Sequence, residues 1–243
     1  MAKKGYQHIV KKQASNLDLA CQCLRNAVGE QNWVYELSSV AAEIRNKCKG
    51  DDWTIDIQDL DIPITEPRHL LPSSLKNNLK LFVSIRMTGN GRLWDECNNC
   101  IKSLGFKVVV REKVPVDSNK TFSTGFHIDK VDGNDDLSEM HPLYHVHFLN
   151  DSKIDGIEAL SMDVPRLMHH PVDMILGILM VFANYNKPVY DKLRGDGGFM
   201  GLCRESANHI LAPYFNSLAS AKWKENPNRN SPFDNTLCPY LAL

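Results

Sequence analysis

Histidine residues are concentrated in one stretch of this 243-residue chain. Six of the nine histidines fall between residues 127 and 170, and aspartates of interest lie within this stretch or just after it. The histidines are His127, His141, His145, His147, His169 and His170, and the aspartates are Asp129, Asp163 and Asp173. Neutral imidazole is both a general base and a common metal ligand near pH 7. The stretch therefore concentrates side chains that can do chemistry at neutral pH.

Two predicted strands, over residues 122–131 and 143–149, would place four of these side chains on one surface. The four are His127 and Asp129 on the first strand and His145 and His147 on the second. Successive side chains of a strand point to opposite faces, so each pair shares a face. If the strands are neighbours, one register places His127 opposite His147 and Asp129 opposite His145. Cross-strand neighbours have Cβ atoms about 4.5–5.5 Å apart, so the pattern predicts three imidazoles and one carboxylate together.

This predicted cluster suits two kinds of chemistry. As ligands, three histidines and an aspartate suit Zn²⁺ or another divalent transition ion such as Mn²⁺. As catalysts without a metal, a histidine pair supplies one general base and one general acid for phosphodiester or related hydrolysis. Arg166 would bind an anionic substrate, and His170 would approach the cluster from the next element, beside a helix N-terminus that is a natural anion site.

The presence of these residues can also be explained by structure alone, without a catalytic or metal-binding role. Histidine is tolerated on a half-exposed strand face, and every strand displays residues i and i+2 together. The register that aligns the four side chains is one of several that the sequence allows. His141 and Pro142 would then only shape the turn into the second strand, and Asp163, Pro165 and Arg166 would form a turn with a salt bridge.

The elements before the histidine stretch predict helices followed by strands. Apolar residues recur at steps of three and four in the N-terminal part and alternate farther along. Predicted helices cover residues 16–49, with a break at Gly29, and 93–104, closed by Gly105; predicted strands cover 53–57, 79–87 and 106–111. The strands at 79–87 and 106–111, together with the two histidine strands, predict an antiparallel meander of three or four strands.

The last third of the chain is predicted to be helical. Residues 171–185 are apolar nearly all round, which is typical of a buried helix, with Pro171 at its first position and Asp173 in its first turn. Further helices are predicted near 188–194 and over 199–222, the latter kinked or split at Pro213. The chain is thus predicted to be one α+β domain over 1–243. Its parts are a helical one over 1–50, a strand-rich one over 51–150 and a helical layer over 151–243 built on the buried helix 171–185.

Composition limits the classes of partner and compartment. The net charge is −1, with 28 basic and 29 acidic residues, so nucleic acid is a conceivable partner that the charge does not favour. The seven cysteines are odd in number and scattered, which predicts reduced thiols in a cytoplasmic protein. The longest apolar run, over 174–182, is too short to span a bilayer. Cys97 and Cys100 form a single CxxC, without the second pair of a zinc ribbon, and are assigned to the buried face of the short helix.

Three short motifs carry a resemblance to other proteins. They are His-Pro-Leu-Tyr-His-Val-His-Phe at 141–148, Asp-Val-Pro-Arg at 163–166 and His-His-Pro-Val-Asp at 169–173. Over about 121–185 the chain resembles a group of bacterial proteins of unknown function. The resemblance implies a prokaryotic accessory protein that works beside other subunits in a defence or mobile-element system.

Two functional hypotheses follow from the sequence. The first is an interaction subunit of a larger intracellular assembly, with other protein subunits as partners and no cofactor, because the charge is balanced and no complete catalytic signature is present. The second is a histidine-centred hydrolase such as a nuclease or phosphodiesterase. In that case His127, His145 and His147 are acid–base groups or ligands of Zn²⁺ or Mn²⁺, and Asp129 orients or joins them.

Overall fold

The structure, a computed structural model, describes most of the chain in eight segments. These are residues 6–47, 51–65, 73–75, 77–96, 100–114, 122–130, 142–149 and 167–220. The described helices are α1 (Gln7–Val28), α2 (Asn32–Lys47), α3 (Gly91–Asp95), α4 (Met174–Tyr185), α5 (Lys187–Gly195), α6 (Gly197–Ser206) and α7 (Ala212–Ser220). A 3₁₀ turn spans Ser73–Leu75, and a π-helical segment spans Ala207–Leu211. Arg166, His141 and Asp163 lie outside the described residues, as does Cys97.

The centre of the fold is an antiparallel sheet in which strands adjacent in sequence are adjacent in space. The strands are β1 (Asp52–Ile62), β2 (Leu79–Asn90), β3 (Ile101–Glu112), β4 (Ser123–Lys130), β5 (Tyr144–Phe148) and β6 (Leu167–Met168). The α+β class, with helices before and after an antiparallel meander, is confirmed. The sheet is larger than the predicted three or four strands, because β1 and the short β6 also join it.

The helix predicted over 93–104 is wrong. Helix α3 ends at Asp95, after a start at which the Asn90 side chain accepts hydrogen bonds from two backbone N–H groups, and β3 begins at Ile101. The β2–β3 register shifts between Thr88 and Gly89. This β-bulge adds a residue to β3. The buried residues Ile101 and Leu104 are therefore three positions apart, which is a spacing typical of a helix. Consequently Gly105 lies inside a strand, and buried Cys100 immediately precedes it.

The two faces of the sheet differ in what covers them. Along β2, Leu81, Val83 and Ile85 are buried while the residues between them are half-buried or exposed. We call this buried side the helix face: a Cβ atom on Gly177 of α4 would lie 2.4 Å from the Phe106 ring of β3, so the helix and the strand are in close contact. We call the other side the polar face, and it includes His127, Asp129, His145 and His147.

The C-terminal helices begin and end differently from the predicted bounds. Helix α4 starts at Met174 with Asp173 as its N-cap, so Pro171 precedes the helix. The backbone N–H of Leu176 donates to Asp173 Oδ1 at 2.9 Å, so this helix start is capped by its own chain and is not the anion site that was expected. The helix predicted over 199–222 is three segments, and the π-helical one ends at Leu211, two residues before Pro213. A proline cannot donate the backbone hydrogen bond of a continuous helix.

None of the helices in the described segments is long and apolar enough to cross a membrane. Cys21, Cys23, Cys100 and Cys203 are buried thiols without disulfide bonds.

Candidate metal and acid–base site

The pairing of β4 with β5 places the histidines as the sequence hypothesis requires. His127 is the register partner of His147, and Asp129 is the partner of His145. Both pairs lie on the polar face because the apolar partners Ile128 and Val146 alternate with them. The one-residue choice of register decides this arrangement, since a shift by one would turn the set to the opposite face.

Three of the four side chains meet around one carboxylate oxygen. Asp129 Oδ2 lies 3.1 Å from His127 Nδ1 and 3.1 Å from His147 Nε2. The two imidazole rings are 5.2 Å apart between centroids and inclined by 51°. The side chains of His127, Asp129 and His147 keep 29%, 24% and 28% of their exposure. The cluster is thus held within the sheet surface and still reached by solvent.

The spacing of the ligand atoms fits a metal ion. One ligand atom from each of His127, Asp129 and His147 lies within 4.8 Å of the others. Two ligands bound to tetrahedral zinc at about 2.0–2.1 Å stand about 3.3 Å apart. Both nitrogen–oxygen separations of 3.1 Å are close to that value. Three protein ligands also leave a coordination position open, which is the arrangement of catalytic zinc sites.

His145 lies beside this cluster rather than in it. The residue is only 5% exposed, and its Nδ1 lies 3.2 Å from the Pro142 carbonyl oxygen. Its ring centroid is 5.9 Å from that of His147. Within the described residues, the group of mutually close ligand atoms comprises His127, Asp129 and His147 and does not include His145.

The second pair of histidines is at the start of the C-terminal helical layer. The rings of His169 and His170 are 4.2 Å apart, and His170 Nδ1 lies 3.1 Å from the Pro171 carbonyl oxygen. The Tyr214 hydroxyl donates to the His169 carbonyl oxygen at 3.2 Å. In the described part of the chain, neither histidine joins the three-residue group. A substrate-binding role for His170 therefore remains a prediction, as does the role of Arg166.

The surroundings of His127 favour its neutral form. Partial burial lowers the pKa of His127 below its usual value of 6.5, Asp129 opposes this shift, and the neighbouring His147 and Lys107 add to it. A neutral imidazole has one nitrogen with a free lone pair. If Nδ1–H donates to Asp129, the lone pair is on Nε2. A Cβ atom on residue 105 would lie 3.8 Å from this Nε2, so the nitrogen faces the space above Gly105.

Three residues of the neighbouring strands complete the surroundings of the cluster, and the sequence reasoning missed them. Gly105 pairs with Asp129, Lys107 pairs with His127, and Arg86 of β2 pairs with Gly105. The alternation of Lys107 with the apolar Phe106 and Val108 is the signal that could have placed Lys107 away from the core. Its position beside His127 requires the β3–β4 register, and Gly105 was assigned to a helix end.

A second group of polar residues lies on the helix face. Gln13, Trp53, Trp94, Asp173 and Ser206 line a cavity of about 20 Å³, which is the space of about one water molecule. The Gln13 Nε2 and the indole nitrogens of Trp53 and Trp94 are buried there without a hydrogen-bond partner. Because the cavity is too small for an organic substrate, the exposed cluster on the polar face is the better candidate site.

Comparisons with protein-family models, with curated proteins and with solved structures found no match to this chain.

Proposed function

We propose that the protein is a metal-dependent hydrolase whose centre is His127, Asp129 and His147. The observation that carries the proposal is the pair of 3.1 Å separations between Asp129 Oδ2 and one nitrogen of each histidine. Imidazole and carboxylate ligands suit Zn²⁺ and Mn²⁺. The sequence also predicted His145 as a ligand. The burial of His145 and its contact with Pro142 favour a supporting role instead.

Each residue of the centre has a defined part in the proposed chemistry. His127 Nδ1, His147 Nε2 and Asp129 Oδ2 would hold the ion at the surface of the sheet. A bound zinc ion lowers the pKa of its water ligand to about 7, which supplies hydroxide at neutral pH. In the hydrolysis that this site would support, the bond from the ester centre to its leaving oxygen would break as the bond to the water oxygen forms, and the leaving alkoxide would take up a proton released by that water, without a redox step. His145 would restrain His147 through the adjacent ring, as outer-shell groups commonly do.

Metal titration of the full-length chain tests the binding step. Calorimetry with Zn²⁺ and with Mn²⁺ should give one site per chain, and His147→Ala should remove it. His8→Ala is the matched control, because His8 is an exposed histidine of α1 outside the cluster. If neither ion binds, or if His147→Ala binds as the natural chain does, the proposal is wrong.

Hydrolysis is tested separately with chromogenic esters. The zinc-loaded and manganese-loaded proteins should cleave p-nitrophenyl esters of phosphate or of a carboxylic acid, whereas the chelated protein should not. His147→Ala should abolish turnover, and His170→Ala shows whether the second histidine pair contributes to substrate binding. A chain that binds metal and cleaves none of the esters would have the metal site without the hydrolase activity.

A second candidate function is an interaction subunit in a larger cytoplasmic assembly. The observation in its favour is a pair of exposed apolar side chains at the β5–β6 end of the sheet: Phe148 is 59% exposed and Leu167 is 54% exposed. Leu167 pairs with Val146, which shares a face with Phe148. Exposed apolar groups that are close together mark interaction surfaces more often than scattered ones do.

Proximity cross-linking in cells tests this second function. Phe148→Glu should remove a specific set of cross-linked partner peptides that Tyr35→Glu leaves intact, because Tyr35 is a similarly exposed aromatic residue on helix α2. Identical cross-links in both variants would contradict a role for the β5–β6 surface. The buried, reduced thiols described above support a cytoplasmic location.

A further inference from the structure

We propose that the space above Gly105 binds the phosphate group of a small phosphoester, which makes phosphoesters the substrate class of the proposed hydrolase. This inference rests on the proposed function, since the phosphate would lie beside the metal ligands. Three features carry it: a glycine in the middle of a strand, two cationic side chains next to that glycine, and an imidazole nitrogen that faces it.

Gly105 leaves a gap without a side chain between Arg86 and Asp129 on the polar face. We call this gap the Gly105 notch, and its floor is the backbone of β3 between Arg86 and Asp129. A Cβ atom there would lie 3.5 Å from Asp129 Oδ1 and 3.8 Å from His127 Nε2. A glycine inside a strand often marks a place where a ligand approaches the backbone closely. A side chain at residue 105 would occupy the space next to the cluster.

Two cations border the notch. Arg86 is the cross-strand neighbour of Gly105, and Lys107 follows Gly105 by two residues on the same face of β3. Lys107 is exposed and forms no ion pair with the described residues. Arg86 retains 77% of its side-chain exposure, and its ion pair with Asp56 is long, at 3.8 Å. Both side chains can therefore turn to an anion in the notch at little cost.

The imidazole of His127 adds a directed donor. If its Nδ1 binds the metal ion, its proton is on Nε2, and this N–H faces the notch. The resulting set of one imidazole N–H, one ammonium and one guanidinium suits a tetrahedral oxyanion with several acceptor oxygens. Arginine in particular can donate two parallel hydrogen bonds to one phosphate.

Asp129 is the group that opposes an anion at this position. Its Oδ1 borders the notch, and its single negative charge would repel phosphate. A divalent ion on Oδ2 more than cancels that charge, and Lys107 adds a further positive charge. Phosphate binding should therefore be stronger in the metal-loaded protein than in the metal-free protein, without depending wholly on the metal.

The arrangement favours a single phosphate over a polynucleotide. Two cations border the notch, whereas binding along a nucleic acid requires several phosphate contacts and a basic surplus. The chain has a net charge of −1. Acidic residues also line the neighbouring strand β1, where Asp52 and Asp61 are paired with lysines.

Phosphate titration of the full-length protein tests the inference. Inorganic phosphate is added to the zinc-loaded and the zinc-free protein and followed by ³¹P NMR. Lys107→Ala and Arg86→Ala should each weaken phosphate binding about five- to tenfold, with zinc affinity within about twofold of the natural chain. Lys107→Arg should restore most of the binding. Arg111→Gln is the matched control, because Arg111 lies on the same strand about 13 Å from Lys107.

The possible results separate this inference from the proposed function. If the chain binds no zinc but binds phosphate in a way that depends on Lys107, the phosphate site in the notch is supported. The proposed metal-dependent hydrolase is then wrong. Normal zinc binding with phosphate affinity unaffected by Lys107→Ala and Arg86→Ala overturns the notch and leaves the metal site standing. A twelve-nucleotide single-stranded DNA that binds a hundredfold more tightly than p-nitrophenyl phosphate would overturn the assignment to small phosphoesters.

Discussion

Two aspartates on opposite sides of the central sheet, one in a strand and one at a helix start, have opposite surroundings. Asp129, on the polar face, is 24% exposed and lies between two imidazoles. Asp173, on the helix face, is 5% exposed, caps α4 and accepts a hydrogen bond from the Leu176 backbone. Burial raises the pKa of Asp173, and the surrounding hydrogen-bond donors only partly oppose this shift. The first carboxylate can exchange its partners for a metal ion, whereas the second is committed to holding a helix.

The contrast shows how function separates from structure among residues of one type. Both aspartates belong to the histidine-rich part of the sequence, in which Asp129 was predicted as a ligand and Asp173 was assigned to the first turn of a helix. The two carboxylates differ in exposure and in the groups that they contact. Asp129 contacts two imidazole nitrogens, whereas Asp173 contacts backbone N–H groups. The predictions below test whether the two faces are as independent as this comparison requires.

The largest effect is expected for the polar-face carboxylate. Asp129→Ala should lower zinc affinity by at least about a hundredfold, because losing even an outer-shell partner costs 10- to 100-fold. The free energy of unfolding of the metal-free protein should change by less than about 1 kcal/mol, since a partly exposed side chain is removed. Calorimetry and urea unfolding measure the two quantities. A large loss of metal-free stability would mean that the cluster is structural.

The helix-face carboxylate should show the reverse pattern. Asp173→Ala should lower the free energy of unfolding by about 2–4 kcal/mol, because it removes a helix cap and leaves buried donors without a partner. Zinc affinity should not change. Asp173→Asn keeps the capping oxygen and should cost less. Equal losses in the alanine and asparagine variants would show that the charge, not the cap, matters.

Two glycines offer a second test of the two faces. Gly177→Ala should lower the free energy of unfolding by about 1–3 kcal/mol. The added Cβ atom would lie 2.4 Å from the Phe106 ring, which is an overlap. Gly105→Ala should leave stability unchanged or slightly higher, since the Cβ atom fits at ordinary contact distance. Thermal unfolding of both variants measures the contrast. A comparable loss for Gly105→Ala would mean that the notch is closed.

The smallest effect concerns pH. Burial and the neighbouring His170 lower the pKa of His169 below 6.5, so the folded protein binds fewer protons there than the unfolded chain. Stability should therefore be lost as the pH falls below about 6.5, the value in the unfolded chain. His169→Gln should reduce this loss by less than about 1 kcal/mol between pH 7 and pH 5. Parallel stability curves for both proteins would contradict the assignment.

Much of the fold could be predicted because local patterns agree with it. Alternation in β2 and the apolar character of α4 identified both elements. The hydrophobic faces of β4 and β5 placed the candidate side chains together on the other face, and the structure has the one of the allowed registers that pairs His127 with His147. The prediction of a helix over 93–104 was wrong because the β-bulge in β3 gives the buried residues of a strand the spacing of a helix. Burial of His145 depends on tertiary packing that no local pattern reports. Lys107 and Gly105 were missed because their neighbours belong to another strand.

X-ray absorption spectroscopy of the zinc-loaded, full-length protein tests the central claim most directly. The metal site proposed here predicts one zinc per chain with two imidazole nitrogens and a carboxylate oxygen at about 2.0–2.1 Å, and one imidazole fewer in His127→Ala. A zinc spectrum without imidazole scattering, or one that His127→Ala leaves unchanged, would contradict the claim that the polar-face cluster is a metal centre.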